Sequence, residues 1–156
     1  MKACIYFSAS KKTGGPAGTC AIVRVRNEDG GISETIINNS HPLISEPQGQ
    51  LTAVIEGLQA LDEQVTSVLL VGTSDYVAGW INGTHKIGSK TRNKSKLQKL
   101  FTLVDRFDVK FVKATREPHF VRCKNLAANE AKPPLAIPVL DPARPRQSAL
   151  VFGGVA

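Results

Sequence analysis

Acidic residues are missing where basic ones gather. From residue 78 to residue 104 the chain has no Asp or Glu, yet Lys86, Lys90, Arg92, Lys94, Lys96 and Lys99 all fall there, beside His85. No apolar run approaches the roughly 18 residues that a membrane-spanning helix needs, so no membrane partner is expected. The first eight residues turn polar too soon to read as a signal peptide, and a cytoplasmic location is the expectation. Cysteine is sparse as well. Cys4, Cys20 and Cys123 are odd in number and lack zinc-ligand spacing, which argues for reduced thiols serving as small core residues.

What is present fits a chain that folds. Its 156 residues are 42% hydrophobic, enough for one compact domain with a real core. A net charge of +7 points to a polyanionic partner, although charge also serves solubility. The basic run admits two readings, a phosphate-binding surface or a solvated loop and helix face.

Periodicity orders the elements. Residues 3–7 are apolar and β-prone, and a polar, glycine-rich turn is expected over 8–18. Residues 19–26 alternate, with Cys20, Ile22 and Arg24 on one face and Ala21, Val23 and Val25 on the other. After the turn at 27–31, residues 32–38 make a third strand, so an antiparallel meander opens the fold. Helical spacing follows over 49–61, where Leu51, Val54, Ile55, Leu58 and Leu61 share a face behind Pro47. The aliphatic run within 65–72 suits a strand covered on both sides and parallel to a neighbour. Thr73, Ser74 and Asp75 cap a helix with Tyr76, Val77, Trp80 and Ile81 on its apolar face. A helix at 95–107, a strand at 109–113 and a short helix at 125–131 complete the series. Five of the nine prolines lie between 133 and 146, so residues 133–156 are set apart as an extended tail following a domain at 1–132. The apolar patch at 149–152 within it is a candidate contact for a protein partner or a second copy.

In this order the elements resemble a type 1 ribonuclease H. Local agreement includes Ile5-Tyr6-Phe7-Ser8-Ala9-Ser10 for a strand that in the family ends in Asp-Gly-Ser, and Gln50-Leu51-Thr52-Ala53 for a helix opening with Glu-Leu. Gly72-Thr73-Ser74-Asp75-Tyr76-Val77 resembles Thr-Asp-Ser-Gln-Tyr-Val, and Arg116-Glu117 through Leu126-Ala127 resembles the family's closing motif. The resemblance implies an α/β, ribonuclease H-like fold: a five-stranded mixed sheet, three antiparallel strands then two parallel, flanked by helices.

That family works through carboxylates that hold two magnesium ions. Here Ser8, Gln50, Thr73 and Lys124 occupy the four positions, three neutral groups and a cation. Asp75, two residues past Thr73, reads better as a helix-capping residue. The resemblance therefore implies a degenerate member with no cofactor and no catalysis. Its expected role is to bind nucleic acid, whether double-stranded RNA, an RNA-DNA hybrid or structured RNA, through Lys86, Lys90, Arg92, Lys94, Lys96 and Lys99 with Trp80 at their edge. Arg116, Arg122 and Lys124 extend that surface, as do Lys11 and Lys12. Against family-type binding, Ser45-Glu46 stands where the family's phosphate-contacting Thr-Asn lies. The alternative is a protein-interaction or regulatory module on the same fold.

Overall fold

The computed structural model describes residues 1–131, so the proline-rich tail and its apolar patch lie outside the described residues. A five-stranded sheet runs in the order β3-β2-β1-β4-β5, from β1 (Lys2–Lys11), β2 (Ala17–Arg26), β3 (Ile32–His41), β4 (Ser67–Gly72) and β5 (Asp108–Lys113). The first three strands pair antiparallel, and β4 joins β1 and then β5 in parallel. Helices α1 (Glu46–Gln59), α2 (Asp75–Ile81) and α3 (Lys94–Val104) cover one face, and α4 (Pro118–Glu130) packs on the other. This is the α/β arrangement that the resemblance implies. No described helix is long and apolar enough to cross a membrane.

The face under α1 is continuous. Ile5, Phe7, Ala21 and Val23 from the sheet meet Leu51, Val54, Ile55 and Leu58 of α1, with Leu97, Leu100 and Trp80 filling in from α3 and α2. Small residues set the distance between layers, because a Cβ at Gly57 would sit 2.8 Å from the Ile5 side chain. Ser45 caps α1 and Gln48 answers it, the reciprocal pairing that holds the first turn. On the other face Tyr6, Cys20, Ile22 and Val71 meet Phe120, Cys123 and Ala127 of α4.

Two expectations need correction. The turn expected from Ser8 onward begins four residues later, because β1 continues to Lys11 against a full-length β2. Ser8, Ala9 and Ser10 look turn-prone alone, but both faces of the sheet cover them and tertiary packing overrides propensity. The last helix starts at Pro118, not at 125, since Glu117 caps it through the backbone N–H groups of His119 and Phe120 and Pro118 occupies its first turn.

Candidate nucleic-acid interface

Ser8, Gln50, Thr73 and Lys124 come from four different elements: β1, α1, the end of β4 and α4. Strand alternation turns Ala9 toward α1, where a Cβ on Gly49 would lie 2.9 Å from the Ala9 methyl, so Ser8 faces α4 instead. Gln50 lies on α1, buried, and its Nε2 donates to the Ala9 carbonyl at 3.4 Å. Thr73 follows β4 half-buried, and Lys124 is exposed on α4. No hydrogen bond joins any two of these four side chains among the described residues.

Magnesium does not fit such a donor set. The Gln50 Oε1 is buried without a partner, the one orphaned oxygen at these positions, and it is neutral. A hard divalent cation needs several charged oxygens, whereas Lys124 adds a positive charge. Among the described residues no group of three or more His, Cys, Asp or Glu side chains is arranged to hold a metal ion. Asp75 is spoken for as well: it opens α2 and accepts from Lys113 Nζ at 3.1 Å.

The basic run forms the connection between α2 and α3 and the first turns of α3. Lys86, Lys90, Arg92, Lys94 and Lys99 are exposed, and Lys94 Nζ reaches back to the Ser89 carbonyl at 3.3 Å. The far end of the connection is fastened. Asn93 takes the left-handed conformation, φ 63°, its Oδ1 accepts from Gln48 Nε2 at 2.6 Å, and its Nδ2 donates to the Tyr76 hydroxyl at 3.4 Å. Asn tolerates that backbone better than most residues.

Two residues expected on this surface are elsewhere. Trp80 is 8% exposed, with its ring edge-on to Tyr76 and His85 and tilted against Phe101, so it belongs to the core and offers no face for a base. Its place on the apolar stripe of α2 was the sequence signal for that role. Lys96 turns inward and donates to Thr52 Oγ1 at 2.7 Å, and burial pushes its ammonium pKa down while Glu56 pulls it up.

Nor do the remaining cations form one patch. The 86–99 surface lies on the α1 side of the sheet, while Arg122 and Lys124 ride on α4 on the opposite side. Arg116 is exposed in the turn before α4, and Lys11 Nζ is occupied by the Ile44 carbonyl at 2.7 Å. Arg122 donates to Glu34 Oε2 at 2.6 Å and lies 3.3 Å from His119 Nδ1, and Arg24 binds the same carboxylate oxygen. Those two guanidiniums, Arg122 foremost, hold the Glu34 carboxyl below its usual range. Beneath α4, Cys123 Sγ donates to the Tyr6 and Cys20 carbonyls at 3.4 and 3.2 Å, and its thiol is pushed far up by the adjoining Cys20 and by burial. It is an inert structural thiol. Periodicity gave no prominence to the charged ends of the strands, where Lys2, Arg24, Arg26 and Lys110 share a face; their common strand parity was the available signal.

No family model matches the chain, and no curated protein does. Solved structures match it well. The RNase H1 of the halophilic archaeon Halobacterium salinarum NRC-1 aligns at a TM-score of 0.64 and 22% identity over 84% of this chain and 97% of its own. The N-terminal RNase H domain of a Mycobacterium tuberculosis protein aligns at 0.65 and 16%, over 83% and 98% of the two chains. LC11-RNase H1, isolated from compost by a metagenomic approach and solved in complex with an RNA/DNA hybrid, aligns at 0.59 and 18%, over 81% and 94%. Sheet order, helix placement and these alignments agree: the chain has a ribonuclease H-like fold.

Proposed function

We propose that this chain is a catalytically inactive ribonuclease H-like domain that binds nucleic acid through the connection between α2 and α3. The observation that carries the reading is the group of five exposed cations, Lys86, Lys90, Arg92, Lys94 and Lys99, with no acidic residue from 78 to 104 to offset them. One structural neighbour, LC11-RNase H1, was solved on an RNA/DNA hybrid, which supports the same ligand class here. The four neutral or cationic groups at the carboxylate positions support the loss of cleavage. Ser45 spends its hydroxyl on the α1 cap and Glu46 beside it is exposed, so this segment contributes no phosphate contact.

Binding of this kind has a measurable signature. Each phosphate neutralised by a cation releases counterions, so affinity for a labelled hybrid or double-stranded RNA should fall steeply with salt. Replacing Lys90 and Arg92 by Ala should flatten the log–log slope by about 1.8 for a duplex, roughly 0.9 per lost phosphate contact. Affinity indifferent to salt would sink the binding half of the proposal. Cleavage of the hybrid in magnesium or manganese would sink the other half.

A second reading has one observation in its favour. β3 is a ten-residue edge strand whose Ile32 and Ile36 are 51% and 44% exposed, an open template for strand addition by a protein partner.

A further inference from the structure

Strand register exposes a gap on the α4 side of the sheet. Side chains on one face line up in rows across paired strands. The row through Tyr6 also holds Ile36, Ile22, Val71 and Val112, and Phe120 and Cys123 of α4 pack on its middle. Two residues toward the start of β1, the row is Glu34, Arg24, Cys4, Leu69 and Lys110. The outermost row is Ile32, Arg26, Lys2, Ser67 and Asp108. Because α4 begins at Pro118, these two rows lie beyond its first turn, and Glu117 and His119 mark the edge of an open groove of about 620 Å³.

The groove combines an apolar floor with an uncompensated charge. Cys4 and Leu69 form the floor, and the Tyr6 and His119 rings, 5.2 Å apart and tilted by 45°, close its inner end. At the mouth, Lys2 and Arg26 are direct cross-strand partners. Like charges so placed repel each other. No carboxylate lies within ion-pair distance of either, or of Lys110 on the opposite wall, among the described residues, whereas Arg24 is already taken by Glu34. An anion seated between Lys2 and Arg26 would relieve that repulsion. The volume falls within the range of small-molecule sites, roughly 300–1,000 Å³. An apolar floor with an aromatic end suits a flat ring, and the Ser67 hydroxyl and Asp108 carboxylate at the rim can accept from sugar hydroxyls.

We propose that this groove is a second ligand site, on the far side of the sheet from the 86–99 surface, for a mononucleotide: the base over Cys4 and Leu69 toward His119, the phosphate between Lys2 and Arg26, and Lys110 on the facing wall. The test is a titration of the isotope-labelled full chain with AMP, UMP, adenosine and inorganic phosphate, following the Cys4, Leu69 and Lys110 amides by NMR. Saturable shifts are expected with either nucleotide, and weaker ones with adenosine or phosphate alone. Replacing Lys2 and Arg26 together by Gln should raise the nucleotide Kd about tenfold or more through loss of the charge-assisted contacts. A Lys2→Ala/Arg26→Ala pair provides a second variant should the first fold poorly. In the Lys90→Ala/Arg92→Ala chain the nucleotide shifts should persist while hybrid affinity drops, so the two surfaces succeed or fail separately. Equal responses to phosphate and to AMP, no response at these amides, or shifts that follow protein concentration as a second copy fills the groove would each overturn the proposal.

Discussion

The two faces of one sheet are built to different rules. Under α1 the rows through Ala3 and Ile5 are apolar from β2 to β5, with Ser33 and Thr35 only on the edge strand β3, and three helices close over the face. Under α4 the rows are apolar only in the middle; toward the start of β1 they become Arg24, Lys110, Arg26 and Lys2, and the helix stops short of them. A face that changes character along its strands leaves part of itself free for a ligand, while the uniform face is committed to holding the fold.

Neighbouring leucines on β4 give the sharpest way to break this comparison. Leu70 is fully buried under α1, whereas Leu69 is only partly buried and lines the groove. Leu70→Ala should cost about 2–5 kcal/mol in urea unfolding, the range for a filled core site that cannot collapse. Next in size is Gly18→Ala. Its Cβ would stand 1.9 Å from the Ala127 carbonyl oxygen, so α4 must shift off β2, at a cost on the order of 1–3 kcal/mol. Leu69→Ala should cost below about 1 kcal/mol, because little apolar area is lost where water already reaches. Equal losses at Leu69 and Leu70 would mean that the two faces are equally closed.

The smallest effect concerns Glu34, which ties α4 to β3 at the border of the groove. Arg122 and Arg24 depress its pKa in the folded chain. A carboxyl depressed in this way contributes stability that is complete above its unfolded value, about 4.3, and is lost as pH falls through the folded value. The deficit of Glu34→Gln relative to the native chain should hold steady from about pH 6 to 8 and shrink on acidification. Chemical unfolding of both chains across pH measures it, and a deficit that grows in acid would contradict the assignment.

Much of this architecture is written in the chain. The alternation of 19–26 placed Cys20 and Ile22 opposite Ala21 and Val23, and the structure gives those two sets to the α4 and α1 layers. The face of α1 was legible from Leu51, Val54, Ile55 and Leu58 for the same reason, a single strong period. Ser8 to Ser10 misled because small polar residues that are strand-like only when covered carry no local sign of their cover. The α4 start was readable: Glu117-Pro118 has the order of a cap and a first-turn proline. The candidate surface was harder. Charge counting finds Lys96 and Lys90 equally, and only the packing of α3 on α1 separates the lysine that hydrogen-bonds Thr52 from the one left in water.

The Asn93 anchor has an entropic meaning for the proposed nucleic-acid surface. A ligand that orders a free loop loses about 1–2 kcal/mol per residue fixed. Here Gln48 and Tyr76 already hold the end of the connection, and Lys94 and Lys99 are carried on a helix at a spacing set in advance. For the proposed ligand the ordering cost would be confined to the residues before Asn93, and a side chain that touches no phosphate would govern how tightly the phosphates are held.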